Sequence, residues 1–228
     1  MRYELKFFLS PVQYHLLRNR LRHVMTLDKN AGTDGDYFIR SIYFDSFEYK
    51  SLEEKRMGID TRKKYRIRFY NGDSKNCQLE CKIKKGTRIE KKSVPLTTDE
   101  VVDLLSGEPR LSEKNVGNVL GELQLLMKNE GFHASVVVDY VREAYVHPVS
   151  NVRITFDKKL AAGRVDDCLY HERYMPNILE GDDMILEVKY DEYLPEHISQ
   201  IISSIRPVQT AASKYVMCIN KKKEGLFL

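Results

Sequence analysis

Along Lys64-Tyr65-Arg66-Ile67-Arg68-Phe69 every second side chain is cationic, and those between are bulky and apolar. Successive side chains of a β-strand point to opposite faces, so this segment carries one basic and one apolar face. The alternation recurs along the chain. In RYELKFF, Arg2, Glu4 and Lys6 oppose Tyr3, Leu5 and Phe7; in QLECKIK, Glu80, Lys82 and Lys84 oppose Leu79, Cys81 and Ile83. Arg88, Glu90 and Lys92 align in RIEKKSV, Arg153, Thr155 and Asp157 in VRITFD, and Glu187, Lys189 and Asp191 in ILEVKYD. Arg142 lies on the Tyr140 side of its own strand. Such strands must cover their apolar face, and their charged face either meets water through mixed cross-strand pairs or lines an enclosure.

The pattern predicts strands near 2–8, 37–45, 62–70, 76–84, 88–95, 134–146, 151–158 and 184–191. Turn signals at Asn71-Gly72-Asp73 and Lys85-Gly86 join neighbours as antiparallel hairpins. Helices fit between. Ser10-Pro11-x-Gln13 is a capping box opening a helix to about Met25, and Thr97-x-x-Glu100 opens a short one ending at Gly107. Ser112 caps a third, running to about Asn129 with Gly131 just beyond; Pro195 and Pro207 bound a fourth, and Thr210 begins a last. This is an α+β pattern, and periodicity alone leaves open sheet, sandwich and barrel equally available.

Composition narrows the partners. Against 37 lysines and arginines stand 33 aspartates and glutamates, a net charge of +4, so any strong field comes from local arrangement. Nucleic acid is not indicated, because aromatic residues do not interleave on the cationic faces as stacking platforms. No P-loop signature occurs. No signal-peptide-like run follows Met1, and no stretch approaches the ~20 apolar residues of a membrane helix. Cys77, Cys81, Cys168 and Cys218 show no C-x-x-C spacing and read as reduced structural thiols in a cytoplasmic protein. The histidines are scattered, which argues against zinc. Cations crowded into an enclosure would repel, so a basic lumen takes an anion, and interspersed carboxylates offer oxygen ligands to a divalent ion. A metal–polyphosphate ligand suits both.

In chain order, RYELKF, SIYFDS, YRIRFY, LECKIK, EKKSVPL, YVREAY, VRITFD, ILEVKYD and SKY resemble the triphosphate tunnel metalloenzymes of the CYTH-like superfamily. Within them they are similar to the catalytic (VTC) domain of the vacuolar transporter chaperone polyphosphate polymerase. The resemblance implies an eight-stranded antiparallel barrel with flanking helices and a C-terminal helix, in one domain over residues 1–228. It assigns phosphate binding and catalysis to Lys6, Arg66, Arg68, Lys82, Arg142, Arg153 and Lys214, and substrate contacts also to Lys92, Lys189 and Ser213. Glu187, with Glu4, is implied as ligand of a divalent metal, Mn2+ or Mg2+. Many relatives begin with Glu-x-Glu-x-Lys; here Arg2 stands in the first glutamate's place, removing one carboxylate. The expected reaction is transfer of the ATP γ-phosphoryl group to polyphosphate. The rivals are a triphosphatase, in which Glu4 or Glu80 activates water, and a non-catalytic polyanion-binding module. By family analogy a separate membrane protein receives the polymer, at the inner face of a membrane.

Overall fold

The structure is a computed structural model that describes residues 3–86, 88–111, 115–167 and 175–227. In chain order the elements are β1 (Tyr3–Leu9), α1 (Pro11–Leu21), β2 (Thr26–Leu27), β3 (Asp36–Asp45), α2 (Lys50–Arg56), β4 (Thr61–Tyr70), β5 (Asp73–Lys85) and β6 (Arg88–Pro95). There follow α3 (Thr98–Ser106), α4 (Val119–Glu130), β7 (His133–His147), β8 (Val152–Gly163), β9 (Met184–Tyr190), α5 (Glu196–Ser203), β10 (Val208–Gln209) and α6 (Lys214–Lys223). The α+β class is as the alternation predicts, and the eight long strands are the eight expected.

Strand number and closure need correction. β2 and β10 are two-residue strands, too short to show a period, and bring the described total to ten. β10 and β6 stand at the two ends of the strand order and pair with no further strand among the described residues, so the expected barrel is not closed by hydrogen bonds. Charged side chains such as Arg88, Lys91 and Lys92 line β6, as edge strands commonly do to resist further pairing.

Helix starts follow local chemistry. The Ser10 capping box forms as expected, with Gln13 N donating to Ser10 Oγ and Ser10 N to Gln13 Oε1 at 3.0 Å, but α1 stops at Leu21. The Thr97–Glu100 box opens α3, and Gly107 ends it at φ 80°. Ser112 lies outside the described residues; α4 is instead capped by Asn118, whose Oδ1 accepts from Leu120 N at 2.9 Å and Gly121 N at 3.0 Å. The last helix begins at Lys214, later than Thr210, because Thr210 N donates to Lys6 O at 2.8 Å and continues the β10 pairing with β1. Helix α2 carried no periodic signal in seven residues.

The chain divides into two compact units. The first comprises Met1–Phe38, Asp139–Ala161 and Asn177–Met217; the second Ile39–Val138, Ala162–Pro176 and Cys218–Leu228. In the first, β1 pairs antiparallel with β10 and β9, and β9 with β8. Phe7, Leu9, Leu186, Val188, Ile154 and Phe156 turn one way and pack against Tyr14, Leu17 and Leu21 of α1 and Ile198 and Ile202 of α5. Each fully buried aliphatic side chain there contributes about 1.5–3 kcal/mol. Covering that face leaves Glu4, Lys6, Glu187, Lys189, Arg153 and Asp157 on the opposite one.

The second unit repeats the design. β3–β4–β5–β6 run antiparallel in sequence, and Ile67, Leu79 and Cys81 pack under Leu104 of α3 and Leu120 and Leu123 of α4. Two-residue turns set the register. Tyr70 pairs with Asp73 across Asn71-Gly72, whose φ angles of 50° and 71° are both in the left-handed region, and Lys85 pairs with Arg88.

Candidate functional site

In the first unit, strand register sets opposite charges side by side. Lys6 on β1 faces Glu187 on β9, which faces Thr155 on β8; Glu4 faces Lys189, which faces Arg153. Two further cations arrive from other elements, Arg142 from β7 and Lys214 from the first turn of α6. Glu187 is their common partner. Its Oε1 lies 3.0 Å from Lys6 Nζ and 3.1 Å from Lys214 Nζ; its Oε2 lies 2.7 Å from Lys189 Nζ and 3.6 Å from Arg142 Nη2. Asp157 forms a bidentate pair with Arg142, Nε–Oδ1 2.6 Å and Nη2–Oδ2 2.8 Å, and also contacts Lys214. The Tyr140 ring lies beneath both cations, 5.2 Å from the Arg142 guanidinium carbon and 4.9 Å from Lys214 Nζ. Arg153 is held separately, by Asp28 at 2.8 Å and the Tyr37 hydroxyl at 3.0 Å.

Burial makes this arrangement electrostatically tense. It would by itself raise the Glu187 pKa, yet Lys189, Lys214, Lys6 and Arg142 together hold it well below the usual carboxylate range. Asp157 is likewise lowered against its burial, by Arg142 and Lys214. The cations diverge. For Lys214, Asp157 and Glu187 outweigh desolvation and raise the pKa, whereas Lys189 is pushed down to about 8 by burial that Glu187 and Glu4 only partly offset. Lys6 ends raised, its desolvation exceeded by Glu187 and Glu4. Among the described residues the Thr155 hydroxyl, buried directly across from Glu187, has no hydrogen-bond partner.

In the second unit, the charged face of β4 and β5 gathers around Glu80. Arg66 donates through Nε at 2.8 Å and approaches through Nη2 at 2.6 Å; Arg68 Nη1 stands at 3.7 Å and Lys91 Nζ at 2.9 Å. Arg66 Nη1 also donates to the Tyr43 hydroxyl at 3.0 Å. Burial opposes ionisation of Glu80, but Arg66, Arg68 and Lys91 prevail and bring its pKa to about 2. Lys82 shares this face, across from both Lys64 and Lys91.

Lys92 does not belong with them. It pairs with Cys81 and so lies on the opposite side of the strand, beside Glu90 at 3.9 Å; its neighbour Lys91 takes the expected place. A one-residue difference in register exchanges the two faces of a strand. The two-residue spacing from Lys85 to Arg88 was the signal that could have placed Lys91, rather than Lys92, on the charged face. Asp157 lay in the VRITFD row and was readable in the same way. Asp28, Tyr37 and Tyr140 join the cluster through tertiary contact that no motif announces. Ser213 precedes α6, where its carbonyl accepts from Met217 N at 3.0 Å.

Among the described residues no three His, Cys, Asp or Glu side chains cluster as a ready-made metal cage. Mg2+ and similar ions commonly use only one or two carboxylates, with substrate phosphates and water completing the shell. Glu4 and Glu187 meet that lesser requirement. Both reach the same point, the Lys6 ammonium, at 3.1 and 3.0 Å. Two carboxylates converging on one cation are a donor set that a divalent cation fits.

The fold of the chain is shared with solved structures of low sequence identity. One, from Hippeastrum, is described as an adenylyl cyclase with a dominant triphosphatase activity; it is 14% identical, with a TM-score of 0.58 over 96% of each chain. Another, described as an adenylate cyclase from Bacillus halodurans, is 13% identical with a TM-score of 0.58, over 93% of this chain and 94% of the other. A Pyrococcus horikoshii protein is 15% identical with a TM-score of 0.52, over 97% and 98%. These likenesses show a shared fold. No curated protein sequence matches. The VTC domain profile matches residues 1–222, and the chain belongs to that family.

Proposed function

We propose that the chain is a metal-dependent polyphosphate polymerase, moving the γ-phosphoryl group of ATP onto the end of a polyphosphate chain. A terminal phosphate oxygen forms the new bond to the γ-phosphorus, the bond to the β-bridging oxygen breaks, and ADP leaves with that electron pair. Such transfer depends mainly on positioning and on neutralising the oxygens around the moving phosphorus. Lys6, Arg142, Arg153, Lys189 and Lys214 of the first unit, and Arg66, Arg68 and Lys82 of the second, are the proposed phosphate ligands, with Ser213 as a further donor. Glu187 and Glu4 would hold Mn2+ or Mg2+, which supplies Lewis-acid stabilisation when bound.

One observation favours transfer over hydrolysis. General-base activation of water is most efficient where the base's pKa lies near the working pH. Glu80 sits at about 2, Asp157 and Glu187 are lowered, and Glu4 is committed to Lys6. Of the lysines lowered furthest, Lys189 at about 8 is mostly a cation at pH 7, and Lys64 at about 7 faces Lys82 on the neighbouring strand. A polyphosphate terminus is already ionised and needs no base. The second reading, a triphosphatase, draws support from the activity described for the Hippeastrum protein. Incubation with ATP and Mn2+, followed by gel analysis of polymer and measurement of ADP and orthophosphate, separates them. Chains longer than the input with matching ADP are expected; orthophosphate without growth would establish hydrolysis, and binding without turnover a non-catalytic module. Among the described residues no helix is long and apolar enough to cross a membrane; receipt of the polymer by a separate membrane protein is part of the proposal.

A further inference from the structure

One hydroxyl stands idle at the most polar point of the first unit. Thr155 lies on the charged face of β8, directly across from Glu187 of β9, and is fully buried. Its Oγ1 has no hydrogen-bond partner among the described residues. A buried hydroxyl left unpaired costs stability, and most such groups in folded proteins find a partner. Here the nearest acceptor across the strand is a carboxylate, so the missing bond needs a cause.

Crowding supplies it. A carboxylate offers about four lone-pair positions. Around Glu187, Lys6 stands at 3.0 Å, Lys214 at 3.1 Å, Lys189 at 2.7 Å and Arg142 at 3.6 Å. A neutral hydroxyl loses that competition, because hydrogen bonds from ionised donors are roughly twice as strong. The four cations are not held alike. Arg142 and Lys214, 9% and 7% exposed, are both also tied to Asp157. Lys6 and Lys189, 20% and 22% exposed, have Glu4 as their further acid. An arriving phosphate can therefore draw Lys6 and Lys189 outward while Arg142 and Lys214 stay. That uncovers a lone pair on each oxygen of Glu187, in a buried setting where an unmet acceptor is costly. Directly opposed residues on neighbouring strands have Cβ atoms ~5 Å apart, so rotation of the threonine side chain brings its hydroxyl within reach.

We propose that Thr155 is a positioning residue whose hydroxyl donates to Glu187 once phosphate has taken Lys6 and Lys189, holding the carboxylate in place beside the bound anion. This rests on the phosphate-binding reading of Lys6 and Lys189 given above. A bond made only in the bound state adds to affinity and adds nothing to the stability of the chain before phosphate arrives.

The test is calorimetric titration of the full chain with tripolyphosphate, without metal, alongside thermal denaturation without ligand. Valine keeps the shape of threonine and cannot donate. Thr155→Val should melt no lower than wild type, since it removes an unpaired buried hydroxyl, yet bind tripolyphosphate about 10-fold more weakly. Thr155→Ser keeps the donor and should bind within about threefold of wild type. In Glu187→Gln the ring of cations has lost its charge partner, and Thr155 can bond the amide before and after phosphate binds. Adding Thr155→Val to that variant should therefore change affinity by less than about threefold. Wild-type affinity in Thr155→Val overturns the positioning role and leaves the phosphate-binding reading intact. A loss undiminished in the Glu187→Gln background also overturns it, by assigning the hydroxyl to the anion itself or to the fold. Failure of wild type to bind tripolyphosphate overturns both readings.

Discussion

Glu187→Gln isolates the charge on which the first unit's cluster is balanced. Four cations touch Glu187 between 2.7 and 3.6 Å, and among the described residues Asp157 and Glu4 are the acids left to them once its charge is gone. Lys189 suffers most directly. Its ammonium already sits at about 8 against an ordinary 10.5. At pH 7 its further penalty is capped at ~1.4 kcal/mol, the free-energy equivalent of the pH step from about 8 to 7, because it can then shed its proton. Lys6 and Lys214 each keep one acid but lose one charge-assisted hydrogen bond, at ~1.5 kcal/mol apiece at the low end of such bonds. The sum, ~4 kcal/mol, agrees with the ~3–5 kcal/mol typical of breaking a buried ion pair. For a chain of this size it corresponds to a melting temperature lower by about 10 °C. Tripolyphosphate can replace the lost carboxylate as counter-charge. Without metal it should bind the variant more tightly than wild type and restore most of the melting temperature. Mn2+ should then add nothing to the variant while still affecting wild type. The assay is thermal denaturation with and without tripolyphosphate and Mn2+. A variant melting within about 2 °C of wild type, or binding metal-free tripolyphosphate more weakly, would refute the reasoning.

Arg66→Ala and Arg153→Ala should each abolish triphosphate binding while leaving the circular dichroism spectrum native; wild-type affinity in either would make that face ordinary surface. Glu80 contributes stability that is fully present above its unfolded value near 4.5 and is lost as pH falls toward about 2, so acid unfolding should steepen across that interval. Glu80→Gln should flatten that limb, by ~3 kcal/mol at most. Glu143, outside the phosphate-binding sets, accepts from the Tyr14 hydroxyl at 2.6 Å, the Tyr145 hydroxyl at 2.6 Å and Arg18 Nε at 2.7 Å, tying α1 to β7. Glu143→Leu should cost about 3 kcal/mol or more in denaturant titration without altering tripolyphosphate affinity.

Most of this architecture could be read from alternation, because period two states which side chains share a face whatever lies around the strand. The eight long strands, both capping boxes and the Asn71-Gly72 turn are local facts and were legible. β2 and β10 were not, because two residues cannot display a period. Lys92 shows a narrower failure: two adjacent lysines offer either parity, and only counting back through the two-residue turn to Lys85 separates them. Asp28 and Tyr37 hold Arg153 from segments with no charge pattern, so nothing local marks them as part of the cluster.

The order of residues alone determined that β1, β4, β5, β8 and β9 would each have one apolar and one charged side, and that helices were at hand to cover the apolar one. Tertiary structure decided how the charges are spent. Glu187 becomes the hub of four cations only because β1, β7, β9 and α6 deliver them to one buried point, where removal from water makes each pairing strong and each unpaired charge costly. The row of Lys64, Lys82 and Lys91 is likewise a product of strand register, since residues distant along the chain repel only when hydrogen bonding sets them opposite one another.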